Sequence, residues 1–173
     1  MSSMDWIQTW TGRPFRPLHP DPDSIDIRDI AHALSLLCRF NGHCNVFYSV
    51  AEHAERVSRA VPPEHALWGL LHDAAEAYIS DLPRPVKRQV PAFVDFEDAL
   101  LEVIMARFGQ PWPMPEEVKR ADDRLLATEQ RDLMPPCCVA WGQGVEALPE
   151  RIEPMTPPEA ERAFLARFQE LTA

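Results

Sequence analysis

Apolar residues recur at helical spacing along most of this chain. Ile27, Ile30, Ala31, Leu34, Leu37 and Cys38 fall on one stripe, as residues three and four apart do on an α-helix. Asp21-Pro22-Asp23-Ser24 is a helix-start signal ahead of that stripe, and Asn41-Gly42 is a stop. Ser49 and Glu52 have capping-box spacing, which predicts a second helix from residue 49 to about 60. Pro62-Pro63 ends it, and a third helix is expected from 64 to about 79. Asp81-Leu82-Pro83-Arg84-Pro85 reads as a rigid turn or loop. Helical patterns follow over 92–108 and 115–133, separated by a breaker run at 109–113. After a Pro- and Gly-rich loop over 135–154, an amphipathic helix over 157–171 closes the chain. Strand signal is confined to the first twenty residues, where Thr11-Gly12-Arg13-Pro14 lies between two aromatic-bearing runs and predicts a short β-hairpin. The expectation is an all-α single domain over 1–173. Residues 1–20 form the hairpin and extension, 25–133 the helical core, and 135–173 the loop and last helix.

Composition narrows the function classes. With 173 residues and 46% hydrophobic content, one domain can bury a substantial core. No apolar run approaches the roughly 20 residues that span a bilayer, and MSSMDWIQTW lacks the basic and apolar parts of a secretory signal. A cytoplasmic protein with no membrane association is expected. The net charge of −10 opposes binding of long nucleic acid, which needs a basic surface. It leaves room for a small phosphorylated ligand held by a metal and one or two arginines. Cys38, Cys44, Cys137 and Cys138 contain no CxxC pair, so reduced structural thiols are expected.

Polar residues interrupt three of the apolar stripes. His53 lies one turn before Val57 on the stripe of Val50, Ala54, Val57 and Val61. His72 and Asp73 sit together in Leu70-Leu71-His72-Asp73-Ala74-Ala75-Glu76, where Asp73 shares a lane with Ala66, Leu70 and Ala77. Asp122 falls within the stripe of Val118, Ala121, Leu125 and Leu126. An unpaired charge in a core costs several kcal/mol or is neutralised. A single such histidine fits an ordinary hydrogen-bonded core residue, and Asp122 alone fits a partner for Arg120 or Arg124. Taken together, two imidazoles and two carboxylates form a ligand set for a divalent ion with coordination positions left open.

Between Arg39 and Glu129 the chain resembles the HD-domain metal-dependent phosphohydrolases. The resemblance is carried in order by Ser49-Val50-Ala51-Glu52-His53, by Leu71-His72-Asp73-Ala74-Ala75-Glu76, by Asp81-Leu82-Pro83-Arg84-Pro85-Val86-Lys87, and by Lys119-Arg120-Ala121-Asp122. The proline loop is similar to that of the bacterial 5′-deoxynucleotidase branch. The resemblance implies a helical bundle around one divalent ion (Mn, Co, Zn, Fe or Mg) held by His53, His72, Asp73 and Asp122. It also implies hydrolysis of nucleotide phosphate esters or anhydrides. Arg39 matches the family's phosphate-binding arginine. Glu76 and Asp81 match carboxylates that activate the attacking water and protonate the leaving group. Two features differ: Phe40 stands where the deoxynucleotidases carry tryptophan, and the link between His53 and His72 is short.

Phe40 is the candidate for base stacking. Lys87 and His43 are candidate substrate contacts, although a solvated basic turn, shared with Arg84 and Arg88, is the simpler account of Lys87, and an ordinary loop histidine accounts for His43 equally well. The expected activity is removal of the 5′-phosphate from (deoxy)nucleoside monophosphates. The alternatives are cleavage of a deoxynucleoside triphosphate such as dATP to nucleoside and triphosphate, and a non-catalytic nucleotide sensor. The resemblance also implies a homo-oligomer.

Overall fold

A computed structural model describes residues 5–139 and 144–173. The chain opens with a hairpin in which β1 (Ile7–Gln8) pairs antiparallel with β2 (Pro14–Phe15), Ile7 opposite Phe15. The hairpin is fixed to the helical body at two points. Buried Asp29 accepts hydrogen bonds from the Thr11 backbone N–H at 2.7 Å and the Thr11 hydroxyl at 2.9 Å. Phe15 is buried and stacks on Tyr78 with ring centroids 3.9 Å apart.

The first helix, α1, spans Ile27–Leu36 and is narrower than the sequence pattern implies. Its N-cap is Asp26, whose carboxylate accepts from the Arg28 N–H. Asp21 instead caps a single 3₁₀ turn, Pro22–Ser24, because Ile25 is extended and breaks the helix before it can propagate. At the other end Leu37 turns extended, Val50 N–H donates to its carbonyl at 3.0 Å, and Cys38 bridges Ser49. Arg39–Gly42 is therefore a tight turn inside a closed loop.

Helix α2 (Val50–Ala60) begins where expected, and Ser49 Oγ accepts from the Glu52 N–H at 3.1 Å. The Glu52 carboxylate is drawn elsewhere, to Arg56 and to the Met155 N–H. The expected third helix is divided. A 3₁₀ turn at Pro63–His65 leads into α3 (Ala66–Leu71), and α4 (Glu76–Ile79) follows a four-residue tightening. There the Ala74 N–H donates to Leu71, Glu76 to Asp73 and Ala77 to Ala74, so each bond closes three residues back instead of four. His72, Asp73 and Glu76 are thus displayed differently from an ideal 3.6-residue helix.

The proline loop also differs from expectation. Arg84–Lys87 forms one helical turn, α5, since proline is compatible with a helix's first turn, where its missing N–H would have no partner. Helices α6 (Pro91–Arg107), α7 (Glu116–Leu133) and α8 (Pro157–Thr172) lie close to their expected bounds. Thr156 and Glu159 close a reciprocal capping box at the start of α8.

Helix α2 packs against α1, α3, α7 and α8. Val50, Ala51, Ala54 and Val57 are buried on it, and α8 inserts Ala160 and Phe164 into the core. Arg167 of α8 donates to Ser58 Oγ at 3.0 Å, so the last helix is spent on its own domain. Gly69 allows α3 to lie close to α2. A Cβ there would stand 3.1 Å from Ser58 Cα and 3.2 Å from its backbone nitrogen. The fold is all-α with a short N-terminal hairpin. Among the described residues no helix is long and apolar enough to cross a membrane.

Candidate metal centre

Three of the four expected ligands, His53, His72 and Asp122, gather with their ligand atoms within 4.8 Å of one another, and Asp73 adjoins both histidines. His53 Nε2 lies 3.2 Å from His72 Nε2, 3.3 Å from Asp122 Oδ1 and 3.7 Å from Asp73 Oδ2. His72 Nε2 is 3.3 Å from Asp73 Oδ2. Helices α2 and α7 and the tightened turn after α3 each deliver part of the set. Ligand atoms about 2.0–2.2 Å from a common ion lie about 3.0–3.5 Å apart in octahedral or tetrahedral arrangements. The spacing of His53, His72 and Asp122 therefore fits one divalent ion, with Asp73 at its side.

The outer nitrogens of both imidazoles are already engaged. His53 Nδ1 donates to Glu129 Oε1 at 2.6 Å, and His72 Nδ1 donates to the Gly69 carbonyl at 2.8 Å. Each ring is thereby held in the tautomer that turns Nε2 toward the shared point, as in metal sites whose histidines are oriented by an outer acceptor. His53 and Glu129 are fully buried.

Electrostatics fit the same reading. Burial and the Arg39 charge push the His53 imidazolium toward neutrality, but Glu129 and Asp122 outweigh them and its pKa is raised to about 9. Burial would raise the Asp122 carboxyl, yet its hydrogen bond to His53 and the charges of both histidines hold it far below the usual carboxylate range. Asp73 is held down in the same way, burial being overcome by His72, His53 and Arg39. In the metal-free protein a proton on His53 thus supplies positive charge that a cation would otherwise bring.

A cavity of ≈ 860 Å³ opens over this point, with Asp73 and Asp122 in its wall. Arg39, Phe40, His43, Glu76, Asp81 and Lys87 line it as well, so the expected substrate and catalytic residues share one space with the ligands. Arg39 reaches it from the tight turn after α1. Its Nη2 donates to Glu129 Oε2 at 3.0 Å, its Nη1 is 3.7 Å from Asp73 Oδ2, and its Nε is buried without a hydrogen-bond partner among the described residues. Phe40 lies beneath the guanidinium, 5.2 Å from ring centroid to Cζ. Phe40 and Asn41 both have positive φ, at 54° and 51°, a conformation that bulky side chains adopt only when their surroundings impose it.

Glu76 is buried, and its carboxyl is raised well above the usual range, first by burial and then by the charges of Asp73 and Asp81. Asp81 is exposed to the cavity and paired with Lys87 Nζ at 2.5 Å. Lys87 also donates to both oxygens of Glu97, at 2.9 and 3.0 Å. Its ammonium is therefore committed to carboxylates, whereas Arg84 and Arg88 of the same turn are exposed as a solvated turn implies. Asp122 pairs with neither Arg120 nor Arg124; Arg120 turns to Glu116 and Glu117. Cys38 and Cys44 are free thiols, with sulfurs 3.7 Å apart at the two ends of the Arg39 turn.

Two carboxylates of the site were not anticipated. Glu97, on α6, gathers with Glu76 and Asp81. Glu129 lies seven residues after Asp122 on α7, two turns along the same face. That spacing could have drawn attention to Glu129. Nothing local marks Glu97.

No family model matches this chain. It is 41% identical to the uncharacterised protein YfdR of Escherichia coli over 172 residues, covering 98% of this chain and 97% of that one. An uncharacterised protein of Rhodobacter capsulatus, RCAP_rcc00048, is 33% identical over 188 residues, covering 96% and 95% of the two chains. The chain belongs to the family of these two proteins.

Proposed function

We propose that this protein is an HD-type metal-dependent phosphohydrolase that removes the 5′-phosphate from (deoxy)nucleoside monophosphates. The observation that carries the reading is the convergence of His53 Nε2, His72 Nε2, Asp73 and Asp122 beside a cavity that Arg39 also lines. When bound, a divalent cation supplies Lewis acidity toward water and a phosphoryl oxygen.

The chain's own residues do the rest. Arg39 offers a planar, permanently charged fork suited to a phosphate. Glu76, with its carboxyl raised above the usual range, accepts the proton of the attacking water. The proton that Glu76 takes up is the one returned to the departing nucleoside oxygen, delivered by way of Asp81, which clusters with Glu76 and is held by Lys87 at the rim. Leu37, Val50, Leu126 and Ala127 give the cavity an apolar side, and Phe40 a ring, for the nucleoside.

Charge favours a monophosphate over a triphosphate. Among the described residues, Asp73, Glu76, Asp81, Asp122 and Asp123 line the cavity against Arg39, Arg84 and Lys87. A divalent cation there offsets the charge of one phosphoryl group far better than that of three.

The test is metal-stripped protein reloaded with Mn(II) or Co(II) and incubated with a panel of mono-, di- and triphosphates of nucleosides and deoxynucleosides. Nucleoside plus orthophosphate from monophosphates is the expected product pair. Nucleoside plus intact triphosphate would replace the proposal with the triphosphohydrolase reading. No turnover with any metal would overturn it in favour of a nucleotide sensor.

A further inference from the structure

We propose that Glu129 is a positioning residue through which the cation site and the phosphate site are linked. The inference rests on the function proposed above and adds a residue to it.

One carboxylate serves both halves of the site. Oε1 accepts from His53 Nδ1 at 2.6 Å and Oε2 accepts from Arg39 Nη2 at 3.0 Å. The side chain is fully buried, so water cannot replace either bond. Helix α7 supplies both Asp122 and, two turns later, Glu129. The same rigid element therefore sets a ligand, the orientation of a second ligand, and the direction of the guanidinium. A phosphate drawing on Arg39 pulls against Glu129, and a cation drawing on His53 Nε2 pulls against the same carboxylate from the other side. Two ligands that bias one shared group must change each other's affinity, and by the same factor.

A purely structural buried ion pair would also place an arginine on a carboxylate. The two readings differ in what glutamine does. Its amide has one acceptor oxygen and an NH₂ that faces a donor, so E129Q cannot keep both bonds.

The experiment uses full-length protein and two probes: Mn(II) alone and inorganic phosphate. Dissociation constants are measured by calorimetry for wild type, E129Q, E129D, R39A and the R39A/E129Q double variant. E129Q is expected to weaken Mn(II) about 10- to 100-fold, the usual cost of losing an orienting partner, and to weaken phosphate in the metal-loaded protein. In the R39A background E129Q is expected to leave phosphate affinity unchanged while still weakening Mn(II), since the phosphate effect passes through Arg39. E129D keeps the charge but is one methylene shorter, and is expected to recover at most one of the two affinities.

Folded E129Q that binds Mn(II) within about twofold of wild type would overturn the proposal. So would a loss of phosphate affinity that persists undiminished in the R39A background. If circular dichroism shows E129Q unfolded, E129D decides the matter: full recovery of both affinities overturns the proposal, and recovery of one supports it. None of these readouts involves turnover. Failure of the nucleotide assay therefore removes the proposed activity, whereas unchanged affinities remove the role of Glu129.

Discussion

Raising the pH from 7 to 9 should tighten metal binding by about 50-fold, because His53 must give up a proton before Nε2 can act as a ligand. Between them, Glu129 and Asp122 raise the imidazolium to about 9 against the opposing effects of burial and Arg39. At pH 7 the ring in the metal-free protein is then about 99% protonated, and apparent affinity rises about tenfold per pH unit until pH approaches 9. The carboxylates add little over this interval, since Asp73 and Asp122 are ionised far below it. The assay is Zn(II) titration against a competing chelator at several pH values. Calorimetry in two buffers of different ionisation enthalpy then counts the protons released. About one proton per ion at pH 7, falling toward zero above pH 9, is expected. An affinity that stays flat from pH 7 to 9 with no proton release would refute the reasoning and place His53 outside the ligand set.

The same imidazole predicts the stability of the metal-free protein. Its folded value of about 9 exceeds the unfolded 6.5. The stabilisation is therefore fully present below about pH 6.5 and lost as pH rises through about 9, by at most about 3 kcal/mol; thermal melts of the stripped protein across that range test the sign. E76Q should retain metal affinity while turnover falls about 10²- to 10⁴-fold, measured as kcat beside a metal titration. D122N should abolish tight metal binding, because it removes a charged oxygen 3.3 Å from His53 Nε2; chelator competition reads this directly. G69A should cost about 1–3 kcal/mol by forcing α3 away from Ser58 of α2, and should also weaken metal binding. Denaturant melts and metal titration of the same variant check both effects.

Much of the site was legible because its polar residues occupy positions that the helical period assigns to the core. His53 on the α2 stripe and Asp122 on the α7 stripe need only a 3.6-residue repeat to stand out, and the structure buries both elements with those faces inward. The caps at Ser49 and the closing helix near Pro157 were readable for the same local reason. What is local to one helix can be read along the chain.

Spacing alone misled where neighbouring segments compete for the backbone. Leu37 and Cys38 continue the α1 pattern, yet they turn extended because Ser49 and Val50 pair with them. Ala74 and Ala75 are strong helix formers, yet the segment 72–75 tightens to three-residue closure. Lys87 looks like an exposed cation until Glu97, ten residues on, meets it.

By itself the sequence determined the all-α class, the N-terminal hairpin, the bounds of α2, α6, α7 and α8, and the four residues able to ligate a cation. These follow from periodicity, capping and side-chain chemistry, which act over a few residues. The tertiary structure alone decided that His53, His72 and Asp122 gather at one point with Asp73 beside them, that Glu129 binds His53 and Arg39 with a single carboxylate, and that Lys87 is held by Asp81 and Glu97. The first two depend on how closely α2, α3 and α7 approach and the third on how α5 meets α6, all set by side-chain packing between separate elements.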